Sequence, residues 1–360
     1  SYIPPITENI GKAFEYLETF EEHLRHSRSR ADTALLFSIE SKRFRENGYG
    51  SSGFEYFRSF KGAVKMLLSS GVPFDIIDES GLSEKQRYTT IILAGTPYLS
   101  PETLLLLDSF IAEGGNLLVV GETAAYDEKG KKLRTMPEFL GAEKIKDSEI
   151  SVEYIAGIHD SIGKSVPQMP ILIKESGLLS DIKTKGSAKV LANKCVPPFE
   201  ASLERHVYHQ HAHPFAMTEY AEVIHNSYGL GQSIFFTADI FRSYHETASP
   251  WLNMLFKNCL ELINPEPVLR IEAPECVYPT VIENEKGYLI QLVNINGPIN
   301  EPLKVFPRTM LPVPEVKIIT KLAYNNATIV SGDGQTKLLD DSNALNIKNA
   351  GVHTAVLLER

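Results

Sequence analysis

The chain has 360 residues, of which 43% are hydrophobic and 22% charged, and its net charge is −9 at pH 7. That length supports two or three domains with real cores, and the composition is that of a globular chain. The acidic balance argues against nucleic acid or an anionic membrane as the main partner, since each needs a basic face; no apolar run approaches the ~20 residues that span a bilayer.

Three cysteines, Cys195, Cys259 and Cys276, lie far apart. They suggest neither a disulfide framework nor a structural zinc site. The opening SYIPPITENI lacks the pattern of a signal peptide. The compartment stays open, with the cytoplasm as the default expectation.

In chain order, residues 8–27 predict an amphipathic helix, because Ile10, Phe14, Leu17, Phe20 and Leu24 fall on one stripe. It reads as a connector spanning residues 1–30. Ala31–Glu40 predicts the first strand, followed by a polar loop, SKRFRENGYGSSG. Phe57, Phe60, Val64 and Leu67 mark a helix that Gly71 ends, and Phe74–Ile77 predicts the second strand.

The stretch Tyr88–Thr123 carries the clearest pattern. Ile91–Ala94 predicts a buried strand, Ser100 an N-cap, and Pro101 the first helical turn. Leu104, Leu107 and Ile111 recur at helical spacing, Gly114 and Gly115 stop the helix, and Leu118–Val120 predicts the next strand. A strand–helix–strand of this length implies a parallel pair with a right-handed crossover. With the preceding unit it gives a flavodoxin-like, doubly wound α/β start, in which ligands sit outside the carboxyl ends of the strands.

Residues 124–214 show weaker signals and read as an insertion at the sheet edge, with short strands near Ile171–Ile173 and Lys189–Ala192. Ala221–Ile224 and Ser233–Phe236 predict a hairpin across Gly229–Gly231, and Ser249-Pro250 opens a helix that runs to Asn264-Pro265. The α/β domain thus spans 31–265. From residue 266 onward, short runs such as Tyr288–Val293, Val316–Ile319 and His353–Leu358 alternate with turns at Glu285–Gly287 and Gly332–Gly334. This predicts a small all-β sandwich over 266–360.

Several residues could carry chemistry. Gly48–Gly53 matches G-x-G-x-x-G, but Ser41–Asn47 separates it from the strand, so it reads as a loop rather than a dinucleotide site. Glu122 follows a central strand. It is either a base or sugar ligand, or a carboxylate capping the next segment. Within His206–Pro214, an extended backbone would point His209, His211 and His213 to one face, with Tyr208 as a stacking platform. Those imidazoles suit polar substrate or interface contacts, a metal, or plain structural roles. Asp239, Tyr244 and His245 follow a strand end and could converge on the same edge.

The segment IILAGTPYLSPETLLLLDSFIAEGGNLLVVGET resembles the β-galactosidase trimerisation domain, an α/β domain of the class I glutamine amidotransferase-like type. HQHAHP and YGLGQSIFFTADIFRSYHETASPWLNMLFKNCLELINPEPVLR are similar to the matching region of glycoside hydrolases of the α-L-fucosidase type. The tail from YLIQLVNINGP to GVHTAVLLE resembles their closing β-sandwich.

The resemblance implies the C-terminal half of such an enzyme without its TIM barrel, which in the family holds the catalytic carboxylates. No eight-fold strand–helix run is present here, and no cysteine or G-x-S-x-G nucleophile follows Gly121. The expected role is therefore a non-catalytic oligomerisation or accessory region of an enzyme acting on fucosides or galactosides. A trimer is favoured by analogy, and the histidine segment would edge a neighbouring active site. Carbohydrate stays open as a ligand, while catalytic residues, cofactors and metals are not expected. Two alternatives stand beside this: a free-standing carbohydrate-binding protein, and a divergent metal-dependent hydrolase using the histidine cluster.

Overall fold

The structure is a computed structural model. It describes residues 4–47, 53–148, 150, 152–173, 180–205, 212–296, 311–331, 334–337 and 344–360. The chain divides into two compact units. One comprises 1–32, 67–75 and 267–360, and the other 33–66 and 76–266.

The second unit is built on a nine-stranded sheet. Its order is 74–77, 33–36, 90–94, 116–120, 231–236, 216–228, 189–196, 153–156, 171–173, and Phe74–Ile77 straddles the division between the units. Thr33–Leu36, Thr90–Ala94, Asn116–Val120 and Gly231–Phe236 run parallel to one another. Their residues are buried on both faces: Leu35, Ile91, Ile92, Leu118 and Val119 are fully inaccessible. That is why these strands read as continuous apolar runs rather than alternations. The crossover helix Pro101–Ala112 starts as expected, with the Ser100 hydroxyl accepting from the Thr103 amide. It buries Leu107 and Ile111 and leaves Leu105 exposed.

The hairpin Ala216–Tyr228 and Gly231–Phe236 turns at Gly229, which holds a φ of +59°. From there the sheet becomes antiparallel, adding Lys189–Val196, Glu153–Ala156 and Ile171–Ile173. A separate two-stranded pair joins Ala142–Asp147 to Ser180–Thr184.

One local expectation is overturned. The polar segment after the first strand is not a loop up to Asn47: Ile39–Glu46 is a helix. Glu79 explains it. Its carboxylate accepts from Ser38 Oγ at 2.7 Å and from the Ile39 and Glu40 amides at 3.1 Å each, closing the helix N-terminus from a distant part of the chain. Residues 48–52, holding most of the glycine pattern, lie outside the described residues.

The first unit is strand-rich. A six-stranded sheet, in the order 28–29, 277–284, 287–294, 353–359, 326–331, 334–337, and a three-stranded sheet, 269–272, 313–320, 344–350, contribute to one core. Alternate residues of Val277–Asn284 face it, the period-2 pattern of a half-buried strand.

The N-terminal stripe is split. The chain breaks between Pro4–Glu18 and Glu21–Leu24. Phe20 is buried against Leu289, Val330 and Leu357, and the Tyr16 hydroxyl donates to the Val330 carbonyl at 3.1 Å. Ile10, Phe14 and Leu17 stay exposed.

Candidate functional site

The carboxyl ends of the parallel strands set the site. The chain leaves Thr90–Ala94 through Gly95 and Asn116–Val120 through Gly121, at φ of +58° and +69°. Glycine is favoured at both by φ, and the space beside each is tight. A Cβ on Gly121 would stand 3.2 Å from Asp239 Cβ, and one on Gly95 3.3 Å from Asp239 Oδ2. Asp239 therefore lies against both strand ends. It caps the helix Ile240–Thr247 by accepting from the Arg242 amide at 2.9 Å, and it accepts from Ser59 Oγ at 3.0 Å.

Glu122 follows Gly121 and is not free. Arg45 Nη2 lies 2.8 Å from its Oε2, with the side chains 8% and 14% exposed. The Tyr126 hydroxyl donates to its other oxygen at 3.3 Å. Burial, and then the Glu122 charge, push the Tyr126 phenol up. Phe44 stacks on Tyr98 and packs against Tyr126. The helix Ile39–Glu46, through Arg45, Phe44 and Ser41, which donates to the Tyr98 carbonyl, thus fills the space over the first strand ends. This is where an open α/β sheet would otherwise take a ligand.

An opening lies further along the sheet. A small cavity is lined by Gly121, Glu122, Thr123, Lys132, Thr135, Lys144, Ser180 and Thr237, among others. Lys132 and Lys144 both contact the Asp147 carboxylate.

Behind it is a buried ionic cluster that the sequence reading did not identify. Lys194 Nζ lies 2.7 Å from Glu153 Oε2, with both side chains at most 1% exposed. It donates to the Ser180 carbonyl at 2.8 Å and approaches Asp181 at 3.4 Å. Glu222, wholly buried, accepts from the Ala238 amide at 3.0 Å. Burial, and then the neighbouring Glu153, push the Glu222 carboxyl up to about 8. Burial alone would lower the Lys194 ammonium, but Glu153, Glu222 and Asp181 outweigh it and hold the group charged. One signal was legible: Glu222 interrupts the apolar run Ala221–Ile224 at a position the strand must bury.

The other sequence-derived residues are dispersed. Tyr208, His209 and His211 lie outside the described residues. His213 is exposed, just before the Ala216–Tyr228 strand. Tyr244 is buried on the helix Ile240–Thr247. On the same helix, His245 is drawn down by burial first and by Lys65, Lys61 and Arg58 on Gly53–Ser69, with Glu246 opposing. Among the described residues no group of three or more His, Cys, Asp or Glu is placed to hold a metal ion. Nor is any helix among them long and apolar enough to cross a membrane.

The fold is shared with glycoside hydrolases. The α-L-fucosidase isoenzyme 2 from Paenibacillus thiaminolyticus matches with a TM-score of 0.80 at 20% identity, over 97% of this chain and 52% of that one. The β-galactosidase from Bacillus circulans sp. alkalophilus matches with a TM-score of 0.64 at 15% identity, over 95% of this chain and 43% of that one.

More particularly, residues 43–171 match the family described as GLMA-like, second domain. An exo-β-D-glucosaminidase from Pyrococcus horikoshii is 30% identical over 118 residues, which are 31% of this chain and 15% of that protein. The chain therefore spans about half of the fucosidase, at 52%, and its alignment a small part of the curated relative, at 15%. These findings fit the resemblance to the C-terminal half of a glycoside hydrolase drawn from the sequence.

Proposed function

We propose that this chain is the assembly and accessory portion of a glycoside hydrolase. The observation that carries this reading is the asymmetry of coverage: nearly all of this chain, 97%, matches only 52% of an α-L-fucosidase. The resemblance of Ile91–Thr123 to the β-galactosidase trimerisation domain and the β-galactosidase likeness of the fold support an oligomer. The substrate class of the whole enzyme is a β-glucosaminide, galactoside or fucoside, the sugars named in its relatives.

The chemistry is consistent with an accessory role. Glycoside hydrolysis needs two carboxyl groups about 5–10 Å apart flanking an open site. Here Glu122 is tied to Arg45, while Glu153 and Glu222 are sealed from solvent.

In this reading residues 31–265 form the assembly domain and 266–360 a β-sandwich. The sheet is flavodoxin-like and amidotransferase-like, which is supported by the strand order 74–77, 33–36, 90–94, 116–120, 231–236. His213 and the neighbouring Phe215, 71% exposed, would lie at the edge offered to a second copy.

Sedimentation of the full chain tests the proposal. Self-association is expected, weakened by His213→Ala with Phe215→Ala, and a strict monomer at high concentration would overturn it. Nitrophenyl glucosaminide, galactoside and fucoside should not be turned over; clear hydrolysis by this chain alone would end the non-catalytic reading.

A further inference from the structure

Two apolar surfaces of the second unit lie open to solvent, and they differ in shape. One is a ridge. His213, Phe215 and Met217 alternate along extended chain and are all exposed, Phe215 at 71% and Met217 at 62%. Solvent-facing positions of an antiparallel strand are ordinarily polar. The ridge is held in place: the Phe215 amide donates to the Val196 carbonyl at 3.0 Å, and Met217 pairs with Cys195 across the sheet.

The other is a groove of about 590 Å3 between the helix Pro101–Ala112 and the chain around Leu133–Phe139. Leu104, Leu105, Leu133 and Met136 line it, and Leu105 is 70% exposed. At one end the Tyr228 hydroxyl donates to Asp108 at 2.7 Å. Ridge and groove match in length. From His213 to Met217 the extended chain covers roughly 13 Å, at 3.3 Å per residue. The helix wall from Pro101 to Asp108 covers about 10 Å, at 1.5 Å per residue. Met217 and Tyr228 belong to one strand, Ala216–Tyr228, whose rise sets the ridge roughly 35 Å from the Tyr228 end of the groove. The two surfaces therefore do not fill one another within a single chain.

We propose that the ridge His213–Met217 of one copy seats in the groove beside Pro101–Ala112 of the next, head to tail. This rests on the assembly reading and names the two surfaces that assembly uses. Seating Phe215 and Met217 among the groove's leucines and Met136 removes both apolar surfaces from water at once. The groove also carries Asp108 and Glu138, so an imidazole N–H of His213 meets carboxylate acceptors there. Each copy offers both surfaces, and a contact between unlike surfaces closes into a ring when the rotation between copies allows it. A trimer, favoured by the sequence resemblance, is such a ring.

Two variants of the full chain test this, Phe215→Cys and Leu105→Cys, both at exposed positions. Their mixture, treated with a short bismaleimide, is expected to give a covalent dimer at least about tenfold faster than either variant alone. The native chain, with Cys195, Cys259 and Cys276, is the control. In sedimentation, Leu105→Glu and Phe215→Lys should each weaken self-association about tenfold, as loss of a central anchor does. A chain carrying both changes should regain about threefold, because the ridge lysine then meets the groove glutamate. If the native chain stays monomeric at high concentration, the assembly reading falls and this contact with it. If the native chain self-associates but Leu105→Glu leaves that unchanged, or the mixture links no faster than either variant alone, assembly stands and the ridge-and-groove contact is overturned.

Discussion

Lys194 and Glu153 form an ion pair of 2.7 Å from which water is wholly excluded. It joins adjacent strands of the antiparallel half of the sheet, and Asp181 and Glu222 add their carboxyl groups to its surroundings. Removing one partner of such a pair costs far more than the pair contributes, because an uncompensated charge is left in low dielectric. Lys194→Met should destabilise the chain by about 3–5 kcal/mol. Lys194→Met combined with Glu153→Leu should recover much of that loss. Denaturant midpoints of the three proteins check this.

Glu222 sets a pH dependence whose sign follows from its raised pKa. Its carboxyl stands at about 8 in the fold against 4.5 when free. The folded chain therefore binds more protons than the unfolded one between these values, and this contribution to stability falls as pH rises through that window. Glu222→Gln keeps the shape and removes the titration. The variant should match the native chain near pH 4.5 and exceed it by roughly 1–3 kcal/mol at pH 8. Unfolding measured at both pH values decides the matter; an equal decline in the two proteins would refute it.

Two serines before prolines look alike in sequence but differ in the fold. Ser100 Oγ accepts from the Thr103 amide at 3.2 Å, whereas Ser249 makes no side-chain cap bond. Ser100→Ala should cost about 1 kcal/mol. Ser249→Ala should stay within ~0.5 kcal/mol of the native chain.

Gly62 lies in a helix interior, where alanine would ordinarily help. Here a Cβ would stand 1.8 Å from the Phe241 carbonyl oxygen, so the helices Gly53–Ser69 and Ile240–Thr247 meet backbone to backbone. Gly62→Ala should cost about 3 kcal/mol or more, because no flexible side chain is there to yield. A small effect on the thermal midpoint would show that the helices can separate.

Arg45 and Glu122 should behave as a unit. Arg45→Met and Glu122→Gln each strand a mostly buried group, at 8% and 14% exposure in the native pair. Each should cost about 2 kcal/mol, and the double variant about 1–2 kcal/mol less than their sum. A thermodynamic cycle on denaturant midpoints measures that coupling.

Much of the parallel sheet was legible because its signals are local. Ile91–Ala94, Pro101 and Leu118–Val120 sit within one strand–helix–strand unit, and burial on both faces leaves a continuous apolar run. The helix Ile39–Glu46 was not legible. It holds few apolar residues, and its N-terminus is closed by Glu79, 41 positions beyond Ser38. Arg45 was missed with it, and so was the partner that ties Glu122 down. The N-terminal stripe misled in the opposite sense: periodicity predicted a single buried face, yet only its last part finds a core.

By itself, the sequence determined the α/β class and the strand-rich C-terminal region, because periodicity, caps and turns are written in neighbouring residues, and the resemblance of whole segments pointed to the glycoside hydrolase kinship. Only the tertiary structure decided which charged groups meet. Glu122 with Arg45, Lys194 with Glu153, and Lys132 and Lys144 over Asp147 are paired by loops and sheet register that no local pattern encodes. Charge pairing depends on distance in space and on the removal of water, and both arise only once the strands have been laid side by side.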